Sequence, residues 1–304
     1  MTMIEIAIRL LSRRSHKMKI LITGAKGQLG NDVILESKKR GYNPEGVDVA
    51  EMDITKRNEV ERVISRGNYD VVVHCAAWTA VDKAEEPELF ETVEAVNALG
   101  TKYIADTCRQ LDIPLMYFST DYVFDGQGTE PWKIDDEKNP LNVYGITKSE
   151  GEDYVMQNEK NWILRISWVF GKSGQNFIRT MIRLGKTRDS LTVVDDQIGL
   201  PTYTVDLARL VVDMIETEKY GTYHVSNTGE YISWYNFAKE IFKQANMKVK
   251  VVPVGSDQYE AKAKRPTNSR MDLSAVEQAG FTPLPAWQDA LGRYLEVLKD
   301  MGEL

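Results

Sequence analysis

The feature that most constrains this chain is a short apolar run that ends in spaced glycines. Lys19-Ile-Leu-Ile-Thr23 leads into Gly24-Ala-Lys-Gly27-Gln-Leu-Gly30, and a helical pattern follows from Gln28 to Arg40, closed by Gly41. An unbroken apolar run suits a strand buried on both faces. The glycines permit a tight turn and bring backbone N–H groups to a helix start, where an anion such as pyrophosphate is favoured. The alternation continues. Gly46 to Val49 reads as a second strand, Thr55 to Arg66 as a helix and Asp70 to Cys75 as a buried strand. Glu86 to Leu111 reads as one long helix, Pro114 to Ser119 as a strand, Val143 to Gln157 as a helix and Trp162 to Ser167 as a strand. Repeated βα units predict an α/β fold, a Rossmann-type doubly wound parallel sheet with helices on both faces. Ligands of such a sheet belong at the carboxyl ends of its strands.

The regularity weakens after residue 170, where short strands and helices alternate with loops such as Asp195 to Pro201, and an amphipathic pattern from Trp287 to Met301 ends the chain. The expected division is an NAD(P)-binding unit over 18–170 and a smaller α/β substrate-binding region over 171–304, some of whose segments return to the first unit. Residues 1–17 read as an N-terminal extension, disordered or the product of a misassigned start, because Met18 directly precedes the first strand. Their apolar stretch, Ile4 to Leu11, is broken by Glu5 and Arg9 and is too short to span a bilayer. A net charge of −7 over 304 residues leaves no general basic face for nucleic acid or anionic membranes. The two cysteines, Cys75 and Cys108, form no disulfide framework and no zinc spacing, which fits a reducing cytoplasm.

Asp48 lies 18 residues beyond Gly30, at the end of the second strand. An acidic residue there accepts hydrogen bonds from the adenine ribose hydroxyls, so the cofactor is NADH or NADPH, with Asp48 favouring NADH. Asp53 and Ile54, just beyond, suit an adenine-side contact.

Tyr144 and Lys148 form a YxxxK pattern at a helix start, and a spacing of four puts both side chains on one helical face. A free tyrosine, with a pKa of about 10, is a sluggish proton shuttle at neutral pH. A lysine cation beside it favours the phenolate; lowering the pKa by about three units takes roughly 4 kcal/mol. The expectation is therefore a depressed Tyr144 pKa, with Lys148 also holding the nicotinamide ribose. Alone the pattern is weak, since a surface tyrosine beside a helix-face lysine looks the same. It gains meaning from Ser119-Thr120-Asp121-Tyr122 at the end of an intervening strand. There Thr120 can hydrogen-bond a substrate carbonyl or the tyrosine, and Asp121 is placed for a sugar hydroxyl.

The set resembles the extended short-chain dehydrogenase/reductases, and within them the dTDP-4-dehydrorhamnose reductases. The segments that carry the likeness are GAKGQLG (24–30), CAAWTAVDKAE (75–85), FSTDYVFDG (118–126), PLNVYGITKSEGE (140–152), LRISWVFG (164–171), DDQIGLPT (195–202) and KRPTNSRMD (264–272). The resemblance implies that Gly24, Gly27, Gln28, Leu29 and Gly30 meet the pyrophosphate, and that Asp48, Asp53 and Ile54 meet the adenosine half. It implies that Ala76, Ala77, Trp78 and Thr79 line the cofactor, and that Tyr144 donates the proton with Lys148 and Thr120 assisting. Thr120, Asp121 and Trp168 would contact the sugar, and Arg265, Asn268 and Ser269 would belong to the nucleotide-sugar pocket. A guanidinium fork such as Arg265 matches diphosphate oxygens.

The implied reaction is reduction of the C4 keto group of dTDP-4-dehydro-L-rhamnose by hydride from NAD(P)H, giving dTDP-L-rhamnose for surface polysaccharide. Alternatives are a reductase or epimerase for another nucleotide-linked keto-deoxysugar, and a non-catalytic regulatory subunit of the same fold. Dehydration is disfavoured, because Tyr122 stands where dehydratases carry glutamate after the STD threonine and aspartate. Family members can bind a metal through glutamates at a dimer interface. Asp32 and Val205 stand near those positions, so no required metal is expected, and the implied state is a monomer or weak homodimer in the cytoplasm.

Overall fold

A computed structural model describes residues 17–258 and 260–304, so the expectation for the N-terminal extension falls on residues outside the described ones. The strand Lys19–Thr23 (β1) is followed by the helix Gln28–Lys39 (α1), then by Asn43–Val47 (β2) and Arg57–Gly67 (α2). Val71–His74 (β3) precedes three helical pieces, Val81–Ala84 (α3), Phe90–Glu94 (α4) and Gly100–Gln110 (α5). Leu115–Thr120 (β4), Val143–Val155 (α6) and Asn161–Ile166 (β5) complete the first half.

The second half begins with Val169–Phe170 (β6), Phe177–Gly185 (α7), Ser190–Val194 (β7), Ile198–Gly199 (β8) and Thr202–Tyr203 (β9). Thr204–Ile215 (α8), Gly221–Val225 (β10), Ile232–Ser233 (β11) and Trp234–Gln244 (α9) follow. Lys250–Val254 (β12), Ser274–Gln278 (α10) and Trp287–Asp300 (α11) end the order.

Six strands form one parallel sheet in the order β10-β5-β4-β3-β1-β2. The chain leaves β1 toward β2, then returns to the other side for β3, so the order reverses beside β1 and a crevice opens there at the strands' carboxyl ends. β1, β3 and β4 are buried along nearly their whole length, as their continuous apolar runs require. Helices α1 and α8 pack on one face and α2, α5 and α6 on the other. This is the doubly wound α/β architecture that the sequence predicts. A second apolar core joins α7, α9 and α11 with the β7–β12 pair.

Two elements differ from their sequence reading. The second strand spans Asn43–Val47, so Asp48 stands just past its end. The expected single helix over 86–111 is instead a 3-10 turn at Pro87–Leu89, α4, a wide π-type turn at Ala95–Leu99, and α5. Apolar Leu89, Val93, Val96 and Leu99 keep a three-to-four spacing through the interruptions, so periodicity does not reveal them.

The helix α6 is anchored to the sheet by charge. Glu152 and Arg165 are both buried, and the guanidinium grips the carboxylate through Nε at 2.9 Å and Nη2 at 2.8 Å. Arg165 Nη1 also donates to the Ile134 carbonyl at 3.0 Å. Burial works to raise the Glu152 pKa, but the Arg165 hydrogen bonds overcome it and hold the group below the carboxylate range. Removing one partner strands a buried charge, which costs about 3–5 kcal/mol. Arg165→Met is expected to lose that much in urea denaturation, and the double variant with Glu152→Gln to regain most of it; equal loss in both would show that the charge is not what matters.

Candidate active site

The glycine turn shows why each glycine is there. Gly24 adopts φ +64°, and a Cβ on it would lie 2.8 Å from the Ala76 backbone. A Cβ on Gly30 would lie 2.2 Å from the Gly24 carbonyl oxygen. Any larger residue therefore forces the turn and β3 apart. Gly27 is the N-cap of α1 and no side chain caps that end, which leaves the first N–H groups of the helix for an anionic ligand.

Two cavities meet at this turn, sharing Gly24, Gly27, Cys75 and Ala77 in their walls. One, of about 250 Å³, is walled by Asp48, Asp53, Ile54 and Ala76, together with Met52 and Val96. Asp48 is tethered there, its Oδ2 accepting the Lys26 N–H at 2.7 Å. The Asp53 carboxylate accepts Thr55 Oγ1 at 2.7 Å and Thr55 N–H at 3.1 Å, hydrogen bonds that hold its pKa down. The other cavity, of about 430 Å³, brings together Gln28, Leu29, Gly30, Thr79, Thr120, Asp121, Tyr144, Lys148 and Trp168. The spaces adjoin at the glycine turn, with Asp48 in the wall of one and Tyr144 in the wall of the other, an arrangement that suits a long ligand.

Helix α6 delivers Tyr144 and Lys148 to this space. Its N-cap, Asn142, accepts the Gly145 N–H at 2.8 Å and donates to the Lys264 carbonyl at 2.8 Å, so the turn bearing Tyr144 is fastened at its start. The Lys148 Nζ stands 4.0 Å over the Tyr117 ring, and burial pushes its pKa down to about 7 against the opposing charge of Glu152. Tyr144 departs from its sequence expectation. Burial, aided by the Asp121 charge, pushes its pKa up, and a hydrogen bond with Thr120 only partly opposes this. The phenol is thus kept protonated in the chain alone, which is the state of a proton donor; Lys148 does not set its titration.

Asp121 is almost fully buried, with its pKa raised to about 6 by that burial. Its Oδ1 accepts the Thr120 hydroxyl at 2.9 Å, and the Ser269 side chain opposes the rise, while Oδ2 has no hydrogen bond of normal geometry. Asp121 lines this cavity, and its carboxylate is a hydrogen-bond acceptor of the kind a ligand hydroxyl needs.

Four expected residues line neither cavity: Trp78, Arg265, Asn268 and Ser269, the last buried against Asp121. Trp78 is in neither wall; its N–H is held by Asn97 Oδ1 at 2.8 Å and its indole donates to the Ala80 carbonyl at 3.2 Å. Arg265 grips Asp82 in a fork at 3.0 and 2.7 Å, a partner 183 residues away in sequence. Asn268 is buried and donates to the Gln127 and Glu130 carbonyls, which makes it a brace for the loop after β4. Sequence reasoning also missed Asn97, Gln175 and Trp234. Asn97 sits in the π-type turn and ties Trp78 to Thr147 of α6, and no spacing signal marked it. Gln175 and Trp234 wall the larger cavity. Asp32 is buried and hydrogen-bonded to Thr204. Among the described residues no group of three or more His, Cys, Asp or Glu side chains is arranged to hold a metal ion. Nor is any helix among them long and apolar enough to cross a membrane.

A Rossmann crevice with a buried Tyr-x-x-x-Lys pair in its wall defines a nicotinamide-dependent oxidoreductase of the extended short-chain dehydrogenase/reductase class. The family described as "RmlD substrate binding domain" matches residues 18–300, and the chain belongs to that family. It is 40% identical over 288 residues to the dTDP-4-dehydrorhamnose reductase of Aggregatibacter actinomycetemcomitans, covering 90% of this chain and 97% of that one. It is 37% identical over 283 residues to the dTDP-4-keto-6-deoxy-D-glucose reductase of Streptomyces niveus, covering 91% and 96%. The crystal structure of the Bacillus anthracis dTDP-4-dehydrorhamnose reductase in complex with NADP superposes with a TM-score of 0.88, at 41% identity over 92% of this chain and 99% of that one.

The depressed Lys148 pKa carries a stability consequence. Between about pH 7 and the unfolded value near 10.5 the unfolded chain binds more protons than the folded one, so folding stability rises with pH there. The buried ammonium weighs most against the fold below pH 7. Lys148→Met is expected to stabilise the cofactor-free chain at pH 7 by about 2 kcal/mol, several degrees in Tm, and to flatten that rise. Thermal unfolding across pH 6 to about 10 measures it; an unchanged slope would contradict the buried-ammonium reading.

Proposed function

We propose that this chain reduces the C4 keto group of dTDP-4-dehydro-L-rhamnose to dTDP-L-rhamnose, with NADH or NADPH, in the cytoplasm. The observation that carries the reading is the convergence of Tyr144, Thr120, Asp121 and Lys148 on one cavity continuous with the glycine turn. The names of the relatives supply the substrate. Residues 18–170 hold the cofactor and 171–304 complete the sugar side.

Held by the glycine turn and Lys148, a dihydronicotinamide cofactor would supply the hydride for the carbonyl carbon. Tyr144 gives its phenolic proton to the oxygen as the carbonyl electrons move onto it, and the phenolate then recovers a proton from solvent. Thr120 holds the phenol, and Asp121, in the same wall, is the group suited to a sugar hydroxyl. Lys148 is the group suited to the nicotinamide ribose, and the first turn of α1 with Gln28 and Leu29 to the pyrophosphate. Arg265 and Ser269 would border the nucleotide-sugar end, Arg265 shared between Asp82 and diphosphate oxygens.

Tyr144→Phe removes the proton donor and is expected to lower kcat by about 100- to 10,000-fold with little change in cofactor affinity. Steady-state oxidation of NADPH with the keto sugar, beside cofactor titration, tests this; near-normal turnover overturns the role. The tethered Asp48 carboxylate repels a 2′-phosphate and accepts ribose hydroxyls, so NADH is the expected preference. Asp48→Ala is expected to shift the kcat/KM ratio toward NADPH by roughly tenfold, a change of about 1.4 kcal/mol. An unmoved ratio would remove Asp48 from cofactor selection.

A further inference from the structure

Trp168 is held in a backbone conformation that its side chain disfavours. Its φ is +46°, and the other non-glycine residues with positive φ among those described are Asn68, Asp112 and Asn246. Asn and Asp tolerate the left-handed region, whereas a bulky residue there is an outlier that the surroundings must impose. The surroundings do so. The Trp234 indole stacks on that of Trp168 with centroids 3.7 Å apart and planes inclined by 16°. At Gly199 a Cβ would come within 3.1 Å of both the Trp168 ring and the Ser269 side chain, so glycine there leaves the indole room. Trp234 is itself wedged by Phe177, 4.5 Å away, at the start of α9.

Both indoles wall the cavity that holds Tyr144 and Thr120. That space has a mixed lining. Thr120, Asp121 and Tyr144 supply hydrogen-bonding groups, Trp168, Trp234 and Val169 supply apolar surface, and Ser167 and Gln175 also reach its wall. A 4-keto-6-deoxy sugar has the same duality about its reacting carbon. C3 carries a hydroxyl that needs a polar partner, and C5 carries a methyl that does not. With C4 at Tyr144 and the C3 hydroxyl toward Asp121, the methyl is left for the indoles. A hydroxymethyl group in its place would press a hydroxyl against indole faces that offer it no acceptor.

We propose that Trp234 determines specificity at the sugar's C6: by stacking on Trp168 it fixes an apolar wall that accepts a methyl and rejects a hydroxymethyl. This rests on the proposed reduction of a nucleotide-linked 4-keto-6-deoxysugar. Trp234 comes from the second half of the chain, so that half sets which sugar is reduced while the first half carries the proton chemistry.

The test compares kcat/KM for the dTDP-linked 4-keto-6-deoxysugar with that for its 6-hydroxy counterpart, in the wild type, Trp234→Phe and Trp234→Ala. An apolar site discriminates against an added hydroxyl by no more than about 100-fold, and the wild type is expected to approach that preference. Trp234→Phe keeps a stacking ring and should retain most of the preference. Trp234→Ala should bring it below roughly tenfold, mainly through loss on the 6-deoxy substrate. Cofactor titration confirms that each variant is folded; should the alanine variant fail it, Trp234→Leu, which keeps apolar volume without a ring, replaces it under the same expectation. An unchanged ratio in the ring-less variant overturns the proposal even if both rates fall. A wild type that reduces neither sugar fails the proposed function itself, and this inference falls with it.

Discussion

The buried ion pair between Glu152 and Arg165 fixes the helix on which the chemistry depends. Glu152 lies one turn beyond Lys148 and two turns beyond Tyr144 on α6, and Arg165 lies on β5 beside the strand that ends in Thr120. The pair therefore sets the height of α6 against the carboxyl end of the sheet. Lys138 adds a cation 3.5 Å from the same carboxylate, and Asn142 fastens the opposite end of the helix. A buried pair is weak evidence for net stability, but breaking it is costly, and that cost makes a single helix position favourable. The pair thus holds the helix that carries Tyr144 against the strand neighbouring Thr120.

Burial also sets the proton chemistry. Tyr144, Lys148 and Asp121 lose solvent together, so Tyr144 and Asp121 shift up and Lys148 shifts down, each toward its neutral form. The site thus stores a proton on the phenol and has few fixed charges of its own. An anionic ligand bound beside Lys148 would supply counter-charge and favour its ammonium form. His74, deeper in the sheet, is pushed down to about 3 by burial and by Lys148. It stays neutral and joins Thr23 at the glycine turn to Thr101 on α5.

The sheet was legible in the sequence because parallel strands buried on both faces read as unbroken apolar runs. The glycine turn was legible because its steric demands exclude other residues, and Tyr144 with Lys148 because a four-residue spacing has one geometric meaning on a helix. What was not legible depends on long-range partners or on small backbone irregularities. The wide turn at Ala95–Leu99 leaves periodicity almost untouched, which hid Asn97. Arg265 announced a guanidinium but not Asp82, and Asn268 a polar group but not the carbonyls of the loop it braces. Trp168 was expected at the sugar; its left-handed backbone and its stack on Trp234 were not, because sixty-odd residues separate the two indoles. The direction of the Tyr144 shift was misjudged because a lysine four residues away is visible in sequence, whereas desolvation is a property of the folded cavity.

The most direct measurement of the central claim follows the hydride itself. The wild-type chain would be incubated with dTDP-4-dehydro-L-rhamnose and nicotinamide cofactor deuterated at C4 in the transferable position, and the sugar product would be read by NMR and mass spectrometry. A direct reduction at the Tyr144 cavity predicts one deuterium at C4 of the product rhamnose and one oxidised cofactor for each sugar formed. Unlabelled product, label at another carbon, or no consumption of cofactor would contradict it.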